Sequence, residues 1–170
     1  MSMIIDGTNG LTFNNATTQN SAGTLLQTVF NTVGPTSTYA STTNNANPVS
    51  TGHAATITPK FANSKILILV SAYVGMNNSA CNGGVFTIYR NSTNLAGGNN
   101  NGLAAFDFAS YNGIGTSNLG LSYVDSPSTT SSTTYTVYFY TNGGTLLYCC
   151  SVGGLLSNTL ATITLMEISA

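Results

Sequence analysis

Residues 65–76 read KILILVSAYVGM. Alternation puts Ile66, Ile68, Val70, Ala72 and Val74 on one side of a strand and Leu67, Leu69 and Tyr73 on the other. Both sides are rich in apolar groups. In α/β proteins helices cover such two-faced strands, but no stretch of this chain carries sustained 3.6-residue periodicity. YTVYFY at 135–140 and LLYCCSV at 146–152 repeat the pattern, with large apolar groups on both faces. Something other than a helix must cover the second face.

Working outward, further short alternating or apolar runs appear. They are LLQTVFNTV (25–33), HAATITPKF (53–61), GVFTIYRN (84–91), LAAFDFASY (103–111), LGLSYVD (119–125) and TLATITLMEI (159–168). Gly, Pro, Asn and Ser clusters separate them. About nine or ten strands at such spacing predict an all-β, antiparallel sandwich of the jelly-roll kind. We assign it to residues 24–170. Residues 1–23 hold only small apolar clusters between Asp-Gly, Asn-Gly and Asn-Asn turns, too little for a core. They read as an extended N-terminal arm that attaches to a partner through Ile4, Ile5, Leu11 and Phe13.

A two-sheet sandwich buries one face of each sheet and leaves the other free. A sister subunit is the economical cover for the free face. Each fully buried Phe, Leu or Ile contributes about 1.5–3 kcal/mol, so a few per chain can hold an oligomer without ion pairs. Leu67, Leu69, Tyr73, Tyr138 and Tyr140 are the expected interface residues.

Charged residues make up 4 % of the 170 residues, with a net charge of −1. Globular proteins average roughly 25 %. The basic groups are Lys60, Lys65 and Arg90, too few and too scattered for nucleic acid or an anionic membrane surface. No apolar run approaches the roughly 18 residues of a membrane-spanning helix. MSMIIDGTNG has no basic start or long apolar stretch, so no secretory leader is expected. Cys81, Cys149 and Cys150 are an odd set, read as small buried hydrophobes and not as a disulfide framework.

Little in the chain points to catalysis, a cofactor or a metal. The single histidine, His53, reads as a loop or edge residue, with no nucleophile-elbow sequence to serve it. Asp107 and Asp125 are a formal carboxylate pair, but Asp125 precedes Ser126-Pro127 and is expected to cap a turn. Asn99–Asn101 offers a weak calcium-ligand set. The Gly-Gly pairs precede no helix and so form no phosphate loop. Tyr39, the GGNNNG loop (97–102) and Tyr111-Asn112 are the loop positions where a glycan could stack.

Several stretches resemble the C-terminal jelly-roll domains of bacteriophage virion proteins, found in fibres and in head decoration proteins. They are SYVDSPSTTSSTTYTVYFYTNGG (122–144), ATITLMEIS (161–169), SKILILVSAYVG (64–75) and FTIYRNSTNLAGG (86–98). IIDGTNGLTFNNATTQNSAG (4–23) is similar to the segment that often precedes such domains. These domains in turn resemble tumour-necrosis-factor and C1q-like folds, which usually assemble as trimers. The resemblance implies a homotrimer on the virion surface. A short chain without a long repetitive shaft fits a capsid cement protein bound to the major capsid protein at the capsid exterior. The alternative it implies is a short tail fibre or receptor-binding knob, held by a tail adaptor protein and recognising host glycan.

Overall fold

The computed structural model describes residues 4–6, 10–12, 18–19, 24–34, 39–41, 48–76, 83–98, 101–107, 115–141, 145–149 and 159–170. Every regular element among them is a strand. In chain order these are β1 (Ile4–Asp6), β2 (Gly10–Thr12), β3 (Thr18–Gln19), β4 (Leu25–Val33), β5 (Tyr39–Ser41), β6 (Val49–Ile57) and β7 (Lys65–Met76). There follow β8 (Gly83–Arg90), β9 (Thr93–Asn94), β10 (Ala104–Asp107), β11 (Gly115–Asp125), β12 (Thr133–Thr141), β13 (Leu146–Tyr148) and β14 (Ala161–Ile168). All pairings are antiparallel.

The long strand β7 organises the first sheet. β11 pairs with it along one whole edge, from Gly115↔Met76 to Asp125↔Ile66. β14 and β13 share the other edge in tandem, against residues 65–71 and 74–76. β4 lies outside β14 and β5 outside β13. In the second sheet β12 pairs with β8 on one side and β6 on the other. β10 and β9 share the free edge of β8.

The alternation in 65–76 holds. Ile66, Ile68, Val70, Ala72 and Val74 are buried. They meet Phe86, Ile88, Tyr135, Val137 and Phe139 of the second sheet in one hydrophobic cluster. Phe86 stacks on Phe139 at 5.8 Å between ring centroids and reaches Tyr148 of the first sheet at 6.1 Å. Such aromatic contacts add to the burial that drives folding.

Two edge strands, β4 and β6, meet where the sheets curl together. Side chains bridge them. Gln27 Nε2 donates to the Thr58 carbonyl at 2.8 Å, Asn31 Nδ2 to the Ala54 carbonyl at 2.8 Å, and Lys60 Nζ to the Leu26 carbonyl at 2.8 Å. Edge carbonyls that would otherwise invite a foreign strand are thereby occupied.

Within residues 1–23 the described strands β1, β2 and β3 pair antiparallel with one another, with Ile5 opposite Leu11. Two expected strand limits change. β6 begins at Val49, earlier than the expected 53, and Pro59 follows its end. A bulge explains the shift: Gly52 takes φ +73° between Ser50 and His53, and β12 changes register between Thr136 and Tyr138. The Thr51 hydroxyl then satisfies the Val137 carbonyl at 2.8 Å. β11 starts at Gly115, before the expected 119, because the polar residues 115–118 pair with the end of β7.

Candidate interaction surface

The register of the first sheet fixes what its outer face carries. One row across it is Thr28, Met166, Leu67 and Val124; the next is Phe30, Thr164, Leu69 and Ser122. A third is Thr32, Thr162, Ser71 and Gly120. No charged side chain stands in these rows. Phe30 is 70 % exposed, Val124 52 % and Leu69 38 %. A shallow depression of about 350 Å³ lies beside Leu69, over Gly120 and between Ser122, Thr162 and Thr164, where no atom would meet a Cβ added at Gly120 within 4 Å. Lys65, exposed one row below Leu67, is the charge at the end of this face; a face with three large apolar groups in solvent and so little charge is the composition of a protein contact.

Of the five expected interface residues, Leu67, Leu69 and Tyr73 lie on this face. Tyr138 and Tyr140 do not. They project from the outer face of the second sheet, on the opposite side of the core, since Tyr135, Val137 and Phe139 take the inward positions of β12. Tyr140 is only 8 % exposed and borders an open hollow lined by residues of its own chain, among them Val85, Asn101 and Leu103. Tyr138 is half-buried and stacks on Tyr89, with ring centroids 4.0 Å apart. Sequence reasoning missed Phe30 and Val124. Phe30 has the same parity as Thr28 and Thr32, so an outward ring was legible in LLQTVFNTV. Val124 needed the β11–β7 register.

Of the expected attachment residues, Ile4 and Ile5 are in β1 and Leu11 is in β2. Phe13 lies outside the described residues, as do Cys81, Cys150, Asn99, Asn100, Tyr111 and Asn112.

His53 is the expected edge residue and not a loop one, since β6 ends its sheet, but the ring points inward and is fully buried. Its Nδ1 lies 2.6 Å from the Tyr148 hydroxyl and its Nε2 3.2 Å from the Asn31 carbonyl. The tautomer with Nε2–H donates to Asn31 and accepts from Tyr148. Burial lowers the His53 pKa, and the Asn31 carbonyl partly offsets that. Cys149 is buried at φ +51°, with its Sγ 3.3 Å from the Thr159 carbonyl, and burial raises its pKa.

Asp125 does not cap a turn. Its carboxylate accepts from Arg90 Nη1 at 2.8 and 3.0 Å and from the Tyr135 hydroxyl at 2.7 Å. Burial and that bond push the Tyr135 hydroxyl pKa up. Asp107 sits opposite Gly83, at the other end of β8 from Arg90. Seven residues of strand separate the two carboxylates by roughly 23 Å, far beyond any glycosidase spacing. Asn101 Nδ2 is turned onto the carbonyls of Ala96 and Gly97. Among the described residues, no three His, Cys, Asp or Glu side chains converge as metal ligands would. No described helix is long and apolar enough to cross a membrane.

No protein-family model matches the chain, and no curated protein does.

Proposed function

We propose that this chain is a structural protein of the bacteriophage virion surface, a homotrimeric cement protein that binds the major capsid protein through its N-terminal segment. The observation that carries the reading is the outer face of the first sheet. Phe30, Leu69 and Val124 stand exposed on it, with Lys65 at the end of β7 as the charge on that face, and nothing within the described chain covers them. Copies of the same chain are the partner with the matching, nearly uncharged surface. A threefold ring uses two different patches on each subunit, so contacts from both Leu69 and the far side of the molecule are compatible with it.

The strand order supports the jelly-roll part of the reading. Take the eight main strands in chain order: β4, β6, β7, β8, β10, β11, β12 and β14. The first pairs with the last, the second with the seventh, the third with the sixth and the fourth with the fifth. That nesting is how one long antiparallel ribbon rolls into a jelly roll. The separate meander of β1–β3 supports attachment, since it pairs within itself and leaves the main sheets complete.

The second reading, a short tail fibre or receptor-binding knob, is favoured by the tyrosines and hydroxyls on the outer face of the second sheet. The deciding measurement is sedimentation of the purified chain together with its copy number per particle. A trimer present in hundreds of copies is expected. A few dozen copies or fewer would move it to the tail. A well-folded single unit at micromolar dilution would end both readings.

A further inference from the structure

The outer face of the second sheet is chemically unlike that of the first. Tyr138 lies opposite Thr87 and Tyr89 opposite Thr136, so the two rings meet on a diagonal. Their planes are 25° apart. Beside them Thr56 and Thr134 share a hydroxyl–hydroxyl bond of 2.8 Å. Tyr140 follows on the same face, about 7 Å further along β12. It borders an open hollow of about 500 Å³ whose far wall is Ala96 with residues 101–105.

The wall is built, not incidental. Asn94 Oδ1 accepts from the Thr87 hydroxyl at 2.5 Å, and Asn94 Nδ2 donates to the carbonyls of Gly98 and Asn101 at 2.8 and 3.0 Å. Leu103 N donates to the Phe86 carbonyl at 2.8 Å. Gly102 is pressed so closely on β8 that an added Cβ would lie 1.9 Å from Val85 Cγ1. The lining thus pairs apolar surface from Val85 and Ala96 with the Tyr140 ring and the Asn101 side chain, whose Nδ2 is already bonded to the Ala96 and Gly97 carbonyls.

Charge narrows the ligand. Arg90 is turned onto Asp125. Asp107 stands on this face, two residues beyond the hollow-lining Ala105 on β10, and, among the described residues, no Lys or Arg lines the hollow to attract an anion. Paired rings, hydroxyls and an amide suit the C–H faces and hydroxyls of sugars. We propose that this face binds an uncharged polysaccharide, with the Tyr89–Tyr138 pair stacking on the chain and the Tyr140–Asn101 hollow seating one sugar ring. The inference goes beyond the attachment reading and holds whether the protein sits on head or tail.

Affinity electrophoresis of the full chain through gels containing dextran, galactomannan or laminarin tests it, with alginate as the anionic comparison. Retardation by at least one of the three neutral polymers is expected, and none by alginate. The Tyr89→Ala/Tyr138→Ala pair should weaken it at least tenfold. Tyr89→Leu/Tyr138→Leu, which keeps the sheet covered, should do the same and guards against misfolding of the alanine form. Gly102→Ala should weaken binding through the wall alone, and Phe30→Ser, on the other sheet, should not change it. Absence of retardation in all three neutral gels overturns the proposal. So does retardation by alginate alone, or binding that survives both tyrosine pairs. Dissociation of the assembly by the leucine pair would also overturn it, by giving this face to a second copy.

Discussion

Glu167 accepts a hydrogen bond from Gln27 at 2.5 Å, inside the protein and across the β4–β14 ladder. Its other oxygen accepts from the backbone N–H of Lys60 at 2.7 Å and of Phe61 at 3.4 Å. One carboxylate therefore holds the last strand, the first main strand and the β6–β7 connection together. Glu167→Ala removes the shared acceptor of these part-buried donors, leaving Gln27 its bond to the Thr58 carbonyl. We expect a loss of about 2–3 kcal/mol, since a hydrogen bond to a charged group contributes roughly 1.5–3 kcal/mol. Urea denaturation measures it; a change below about 0.5 kcal/mol would refute this role.

The same carboxylate gives an acid limit. Burial alone would raise its pKa, but the bonds from Gln27, Lys60 and Phe61 outweigh that and hold it below the ordinary value of 4.5. A depressed carboxylate stabilises the fold above its unfolded pKa, and the contribution is lost as pH falls through the folded value. Thermal melts should therefore fall below about pH 4.5, and Glu167→Gln should flatten that descent.

His53 acts in a higher window. Its pKa lies below the ordinary 6.5, so the unfolded chain takes up the proton first as pH falls. Its contribution is complete above about pH 6.5 and declines as pH falls from there toward the folded value. Melting temperature measured at pH 7.5 and 5.5 should drop in the wild type. His53→Gln, which does not titrate, should show a smaller drop at lower overall stability. An equal drop in both would remove His53 as the cause.

On the first sheet, Phe30→Ser should separate fold from assembly. The ring is 70 % exposed within the chain, so the single subunit should lose under about 0.5 kcal/mol. Burial of the ring against a neighbour contributes about 1.5–3 kcal/mol per subunit. Analytical ultracentrifugation should show the variant dissociating at a concentration where wild type stays assembled. Adding Val124→Ser should widen that gap.

Removal of residues 1–23 should leave the strand pairings from β4 onward intact, because β1–β3 pair only with one another. The truncated protein should keep its sedimentation coefficient per assembled mass and its melting temperature within a few degrees. It should fail to co-sediment with capsids. Capsid binding at wild-type strength would remove the N-terminal segment from the attachment.

Much of the strand pattern was legible because period-2 alternation is strong wherever one face is buried. Lys65–Met76 and Leu25–Val33 have the expected limits for that reason. Val49–Gly52 was hidden: Pro48, Ser50 and Gly52 read as a turn, and only Thr51 and the cross-strand Val137 carbonyl make a bulge of it. His53 and Asp125 misled for a related cause. Their local neighbours suggest surface turns, whereas their partners are 95 and 35 residues away, at Tyr148 and Arg90. The interface expectation grouped side chains by strand character. Which sheet each strand joins depends on pairing order, and that order separates Tyr138 from Leu69.

The bridges between β4 and β6 bear on how this protein stays dispersed. With 4 % charged residues it has almost no electrostatic repulsion to keep copies apart. Amides of Gln27 and Asn31 and the amine of Lys60 instead occupy the carbonyls on which another molecule's backbone could zip. Protection of this kind works by occupancy at short range and depends little on ionic strength.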